Sequence, residues 1–160
     1  MNMQPADYVY LPGEHVLDRR GRPVPGYTLH GDALYARSRV RAAPWRLKEW
    51  DFYQISDGTL CLQLVVGHVS YAGNCNIALF NCQTGERLFE HGVTTPLPFR
   101  SMRMPESAHA NSLLRFSHSG AQLSFETKDN ARFLSARSGG FEAEIRLTPA
   151  AAESVLVCTP

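Results

Sequence analysis

Lysine is nearly missing from this chain: Lys48 and Lys128 are the only two among 16 basic residues, the rest being arginine. No charge of one sign dominates, because 15 acidic residues leave a formal net charge of only +1. A nucleic-acid binder normally shows a basic excess on one face, so that class of partner is set aside. No apolar run approaches the roughly 20 residues that a membrane-spanning helix needs. Met1 to Asp18 lacks a basic-then-apolar leader pattern. Cysteine is sparse, at Cys61, Cys75, Cys82 and Cys158. Cys75 and Cys82 fall on one expected strand, on opposite faces and about 23 Å apart at about 3.3 Å per residue, too far for a bridge. Reduced thiols and a cytoplasmic location are the expectation. The histidines, His15, His30, His68, His91, His109 and His118, form no His-x-His or His-x₃-His pair, and no cysteine spacing suits zinc. Metal and cofactor are therefore both expected to be none. A Gly-x-Ser-x-Gly elbow and a phosphate-cradling glycine loop are missing as well.

What is present is a globular composition, 44% hydrophobic over 160 residues, long enough for a real core. Residues 1–44 are dense in turn formers, from Pro5, Pro12 and Gly13 through Gly21, Pro23, Pro25, Gly26 and Gly31. They read as an extended N-terminal arm with one or two short strands. From Trp45 the pattern turns to period two, and residues 45–160 read as an antiparallel β domain. The expected strands are Trp45–Ser56, Thr59–Ser70, Ala72–Cys82, Arg87–Val93, Leu113–His118, Ala121–Lys128, Ala131–Arg137, Phe141–Thr148 and Glu153–Cys158. Between them stand hairpin dipeptides: Asp57-Gly58, Thr84-Gly85, Ser119-Gly120, Asp129-Asn130 and Gly139-Gly140. The fold class is all-β, an antiparallel meander forming a barrel or sandwich. Thr94 to Ser112, with Pro96, Pro98 and Pro105, is read as an ordered crossover along the surface.

Two-residue turns fix pairing, and pairing fixes faces. About Asp57-Gly58, Ile55 would meet Leu60, Tyr53 Leu62, Asp51 Leu64, Glu49 Val66 and Leu47 His68. That puts Glu49 and Asp51 on the face expected to be buried, among leucines. Downstream, Phe116 would meet Leu123, Leu114 Phe125, Phe125 Leu134, Thr127 Arg132 and Arg132 Leu147, with His118 at the end of the inward face. The inward polar set is Glu49, Asp51, His68, His118 and Arg132. A buried carboxylate either pairs with a cation or takes up a proton. Trp50, Phe52, Tyr53 and Tyr71 offer stacking surface, although strand aromatics usually serve packing.

The run Trp45-Arg46-Leu47-Lys48-Glu49-Trp50-Asp51-Phe52-Tyr53 resembles the signature of a bacterial family catalogued as domain of unknown function 2804. Ser70-Tyr71-Ala72-Gly73, the Phe80…Thr84-Gly85-Glu86 strand ending and Glu153-Ser154…Thr159-Pro160 are similar to it too. Upstream, Gly21-Arg22…Gly26-Tyr27 resembles its entry segment, with Tyr27 where tryptophan is more usual and Tyr35-Ala36-Arg37 in place of tyrosine-asparagine-arginine. The resemblance implies a distant relation to carotenoid hydratase and tocopherol cyclase proteins, built from two lipocalin-like halves. It further implies that this chain is a fragment holding the first half, with a C-terminal half of the same chain as its partner. It carries over no catalytic residue. The leading expectation is a noncatalytic pocket for a small apolar or amphipathic ligand, lined by Glu49, Asp51, Tyr53, His68, His118 and Arg132. The alternatives are a hydratase- or cyclase-type enzyme using an inward carboxylate as acid, and a noncatalytic scaffold half.

Overall fold

In a computed structural model of the chain, residues 8–30, 33–96, 102–106, 110–148 and 156–158 are described. The described residues form an all-β protein whose sheet pairings are antiparallel. The strands are β1 (Gly26–Thr28), β2 (Glu49–Ser56), β3 (Leu60–His68), β4 (Ala72–Asn81), β5 (Arg87–Pro96), β6 (Ser112–His118), β7 (Ala121–Lys128), β8 (Ala131–Ser138), β9 (Phe141–Leu147) and β10 (Leu156–Cys158). The chain divides into two compact units.

The larger unit takes in Ala43–Pro105 and His109–Thr148. It holds two four-stranded meanders, β2-β3-β4-β5 and β6-β7-β8-β9, which do not join into a closed barrel. Alternation along each strand sends one row of side chains into a common core of Leu62, Leu64, Val66, Cys75, Ile77, Val93, Leu114, Phe116, Leu123, Phe125, Leu134 and Ala136. Tyr53 meets Phe125 edge-on with ring centres 5.0 Å apart, and Phe89 stacks on Phe141, also at 5.0 Å. These contacts, each made between the two meanders, define a sandwich. Burying a leucine or phenylalanine contributes about 1.5–3 kcal/mol, so this layer dominates the stability of the unit.

In the second meander every reversal takes two residues. Ser119 and Gly120 have φ of 48° and 79°, Asp129 and Asn130 50° and 64°, Gly139 and Gly140 55° and 86°. Positive φ at both central residues is the type I′ turn, whose twist matches the flanking strands. The pairings follow the sequence expectation: Phe116 with Leu123, Leu114 with Phe125, Phe125 with Leu134, and Arg132 with both Thr127 and Leu147.

The first meander differs. Its opening reversal is centred on Gly58-Thr59, one residue beyond the expected centre, because the Asp57 carboxylate accepts the amides of both Thr59 and Leu60 at 2.8 Å. Moving the centre by one residue moves the pairing by two. Glu49 therefore faces His68, Asp51 Val66, Tyr53 Leu64 and Ile55 Leu62. An even shift preserves faces, so the inward set survives while each partner changes. Expected strand at Trp45–Lys48 is also corrected: Pro44–Arg46 forms a single 3₁₀ turn started by proline. At the other end, β5 runs on to Pro96, absorbing the start of the expected crossover, and Met102 and Met104 from that crossover pack on the core.

The smaller unit takes in Met1–Ala42, Glu106–Ala108 and Pro149–Pro160. Within it β1 pairs with β10, and Tyr10, Val16, Leu17 and Ala33 form a small buried cluster. Asp18 accepts the amides of Arg20 and Arg22 and the Arg22 guanidinium at 2.8–3.0 Å, holding its carboxyl below the usual range. Gly21 in that turn has φ +71°, and a Cβ there would stand 2.3 Å from the Arg39 carbonyl oxygen. Only glycine fits.

Candidate functional site

Pairing across the first sheet arranges its inward side chains in rows. One end row reads Glu49–His68–Gly73–Thr95, and the next reads Asp51–Val66–Cys75–Val93. The rows beyond carry Tyr53, Leu64 and Ile77, then Ile55, Leu62 and Leu79. In the second sheet the comparable polar row is Ser112–Thr127–Arg132. The polar residues thus gather toward one end of a layer otherwise filled with aliphatic groups; Leu64, Val66 and Ile77 are fully buried.

Glu49 and His68 are the first pair the structure brings together. His68 Nε2 lies 3.2 Å from Glu49 Oε2, with side chains only 8% and 16% exposed. The ring orientation is set on its other side, where the Ser70 amide donates to His68 Nδ1 at 3.0 Å. A nitrogen that accepts carries no proton, so the ring proton sits on Nε2. The 3.2 Å approach satisfies charge proximity. It lacks hydrogen-bond direction, and Nε2 is a buried donor without an acceptor among the described residues.

Ser70 anchors this corner. The Tyr71 amide bonds back to the Val69 carbonyl at 3.0 Å, a three-residue turn with Ser70 at φ 71°. Such a turn is strained for a residue with a side chain. The Ser70 hydroxyl offsets the strain by reaching the carbonyls of Leu47, at 2.8 Å, and Pro44. That contact ties the 3₁₀ turn before β2 to the end of β3. Gly67 allows the close approach that follows: a Cβ there would sit 2.8 Å from both the Glu49 carbonyl oxygen and Trp50 Cβ.

Asp51, Tyr53 and Arg132 form a second group, drawn from both sheets. Asp51, the Tyr53 hydroxyl and the Arg132 guanidinium are within electrostatic reach of one another. Burial still wins at Asp51 and pushes its carboxyl above the usual range, with Arg132 and Tyr53 opposing. Burial likewise raises Tyr53, with the Asp51 charge adding to it. His118 departs from the expected inward set: it is exposed, because it is the last residue before the Ser119-Gly120 reversal.

Residues that sequence reasoning missed are Ser70, Gly67 and the Glu49–His68 pairing. The usable signal was Asp57 followed by Gly58-Thr59, an aspartate able to cap the amides beyond it. On the outward face Trp50 is 67% and Phe52 47% exposed, so these strand aromatics are not core, whereas Tyr53 is half-buried and packs against the core. A depression of about 150 Å³, lined by Gln122, Ser135, Arg137, Glu142 and Glu144 among others, contains none of the candidate residues. It is smaller than the roughly 300–1,000 Å³ of small-molecule sites. Among the described residues no group of three His, Cys, Asp or Glu is placed to hold a metal ion. Among the described residues no helix is long and apolar enough to cross a membrane.

No curated protein and no solved structure matches the chain. A family model does, over residues 9–160, which includes every residue of the polar end. The chain belongs to the family described as Domain of unknown function (DUF2804).

Proposed function

We propose that this β domain is a noncatalytic binding module for a small apolar or amphipathic molecule, whose polar end is oriented by Glu49, Asp51 and Arg132. One observation carries the reading. Glu49, Asp51, Tyr53, His68 and Arg132 converge at one end of an aliphatic layer, where burying titratable groups costs stability that a structural role alone does not require. Apolar walls with a few convergent polar groups are the usual composition of ligand sites. The free thiols of Cys61, Cys75 and Cys82 support placing it in the reducing cytoplasm. A lipocalin-like ancestry belongs to the same proposal and agrees with an apolar ligand.

Native mass spectrometry of the full-length protein from its own host tests this. The expected result is a co-purified adduct of lipid or isoprenoid mass that Arg132→Met weakens. A spectrum holding only the bare protein mass would sink the proposal.

A noncatalytic scaffold is the second reading, and a specific observation favours it. Both inward carboxylates face a polar neighbour, and the adjoining aliphatic rows are filled. Under that reading the bare mass is the expected spectrum.

A further inference from the structure

We infer that the entry to β2 is a docking surface for a lipid bilayer carrying anionic headgroups, so that the β domain works against a membrane without crossing it. None of the side chains involved belongs to the polar end, and the inference stands apart from the ligand proposed above.

Four large aromatic side chains of the larger unit are exposed at this place: Trp45 (65%), Trp50 (67%), Phe52 (47%) and Tyr71 (61%). The fold gathers them. The Ser70 hydroxyl donates to the carbonyls of Pro44 and Leu47, which ties the 3₁₀ turn bearing Trp45 to the reversal bearing Tyr71. Trp50 and Phe52 follow on the outward face of β2, an edge strand. Trp50 stands opposite Gly67, which offers no side chain to cover it. Indole and phenol rings left uncovered in this way suit the headgroup layer of a bilayer, where one part of the ring is apolar and the other wet.

The charge around these rings has one sign. Arg46 and Lys48 are exposed and alternate with the aromatics along the chain. The adjacent acids turn away from that surface: Glu49 lies beside His68, and Asp51 lies inward within reach of Arg132. On the outward face of the first sheet the acidic residue is Glu90, three strands away on β5 and ion-paired with Arg87. In the sequence, residues 33–48 hold five basic side chains and no acidic one. The outward face of the second sheet mixes both signs instead, with Arg137 paired to Glu142 and with Glu144 and Arg146 beside them on β9. Exposed cations set among exposed rings complement anionic headgroups above an apolar layer, each cation contributing about 1 kcal/mol. A nucleic acid would meet the same charge, but its affinity grows with many phosphate contacts, whereas here apolar area outweighs the two cations.

The test is co-sedimentation of the full chain with vesicles of phosphatidylcholine alone and of phosphatidylcholine with about 30% phosphatidylglycerol. Trp45 and Trp50, the chain's two tryptophans, report contact through a blue shift of their emission. Tighter binding to the anionic vesicles is expected, fading as salt rises from about 0.05 to about 0.5 M. Replacing both cations, Arg46→Gln with Lys48→Gln, is expected to weaken that binding about 30-fold. Trp50→Ala should weaken it as well, with circular dichroism confirming an intact fold in each variant. Three results overturn the inference: no binding to the anionic vesicles, binding that the paired glutamine variant leaves unchanged, or tighter binding to an oligothymidylate than to the vesicles. So does a dimer in sedimentation velocity that Trp50→Ala dissolves, because a second copy would then cover the patch. Each of these leaves the ligand proposal standing, since its readout is the co-purified mass.

Discussion

The two meanders of the larger unit solve the same problem by different means. The second reverses direction three times with two-residue turns, each dictated by the backbone preferences of its dipeptide. The first reverses through side-chain chemistry: Asp57 caps the Thr59 and Leu60 amides, Ser70 is held by carbonyls, and Asn81 accepts the amides of Gln83 and Thr84. It also carries an irregularity at Leu79/Phe80. The regular sheet contributes mainly aliphatic and aromatic groups to the interior. The irregular one contributes Glu49, Asp51 and His68. Three of the polar-end residues thus come from the sheet whose backbone departs from the simplest hairpin, while Arg132 comes from the regular one.

Four comparisons of substitutions break or sharpen that contrast. The largest effect is expected in the shared core. Leu64→Ala in the first sheet and Leu134→Ala in the second should each lower the unfolding free energy by about 2–5 kcal/mol in urea titrations. A loss far smaller for one of them would show that its sheet is peripheral. Next is Gly67→Ala, where the added methyl meets backbone at 2.8 Å. We expect a loss of about 1–3 kcal/mol, against about 1 kcal/mol for Gly120→Ala, which has open space around it and only its φ of +79° to offend. Equal costs would remove the case for close approach at β2. Third, Ser70→Gly should be better tolerated than Ser70→Ala by about 1 kcal/mol. Both lose the carbonyl contacts, but only glycine relieves the φ of 71°. The smallest effect concerns Asp51. Its folded pKa is raised by burial, so the folded protein holds that proton more tightly than the unfolded chain does. The contribution is intact below the unfolded value near 4 and is lost as pH climbs through the folded pKa. Relative to Asp51→Asn, the unsubstituted protein should lose stability as pH rises from about 4, by under about 1 kcal/mol for a partly solvated group. A flat difference across that window would mean Arg132 fully compensates the burial.

How far the sequence led depended on where the information is stored. Ser119-Gly120, Asp129-Asn130 and Gly139-Gly140 carry their own turn geometry, so every pairing of the second sheet could be read from the chain. Asp57 acts through its side chain, which dipeptide patterns do not register. Dipeptide patterns alone place the first hairpin two residues out of register and hide the meeting of Glu49 with His68. Inward placement of Glu49, Asp51 and Arg132 was legible from alternation alone. That Arg132 would face Asp51 and Tyr53 was not, because sheet-to-sheet contacts are set by packing rather than by any local pattern. Tyr10, Val16, Leu17 and Ala33 show no periodicity, and their cluster could not be anticipated.

The three matching I′ turns have a kinetic consequence. From Ser112 to Leu147 each strand finds its partner by closing the shortest loop a hairpin permits, so little chain entropy is spent before contacts accumulate. That stretch should appear early in a quenched-exchange refolding experiment, giving the slower half a surface on which to assemble.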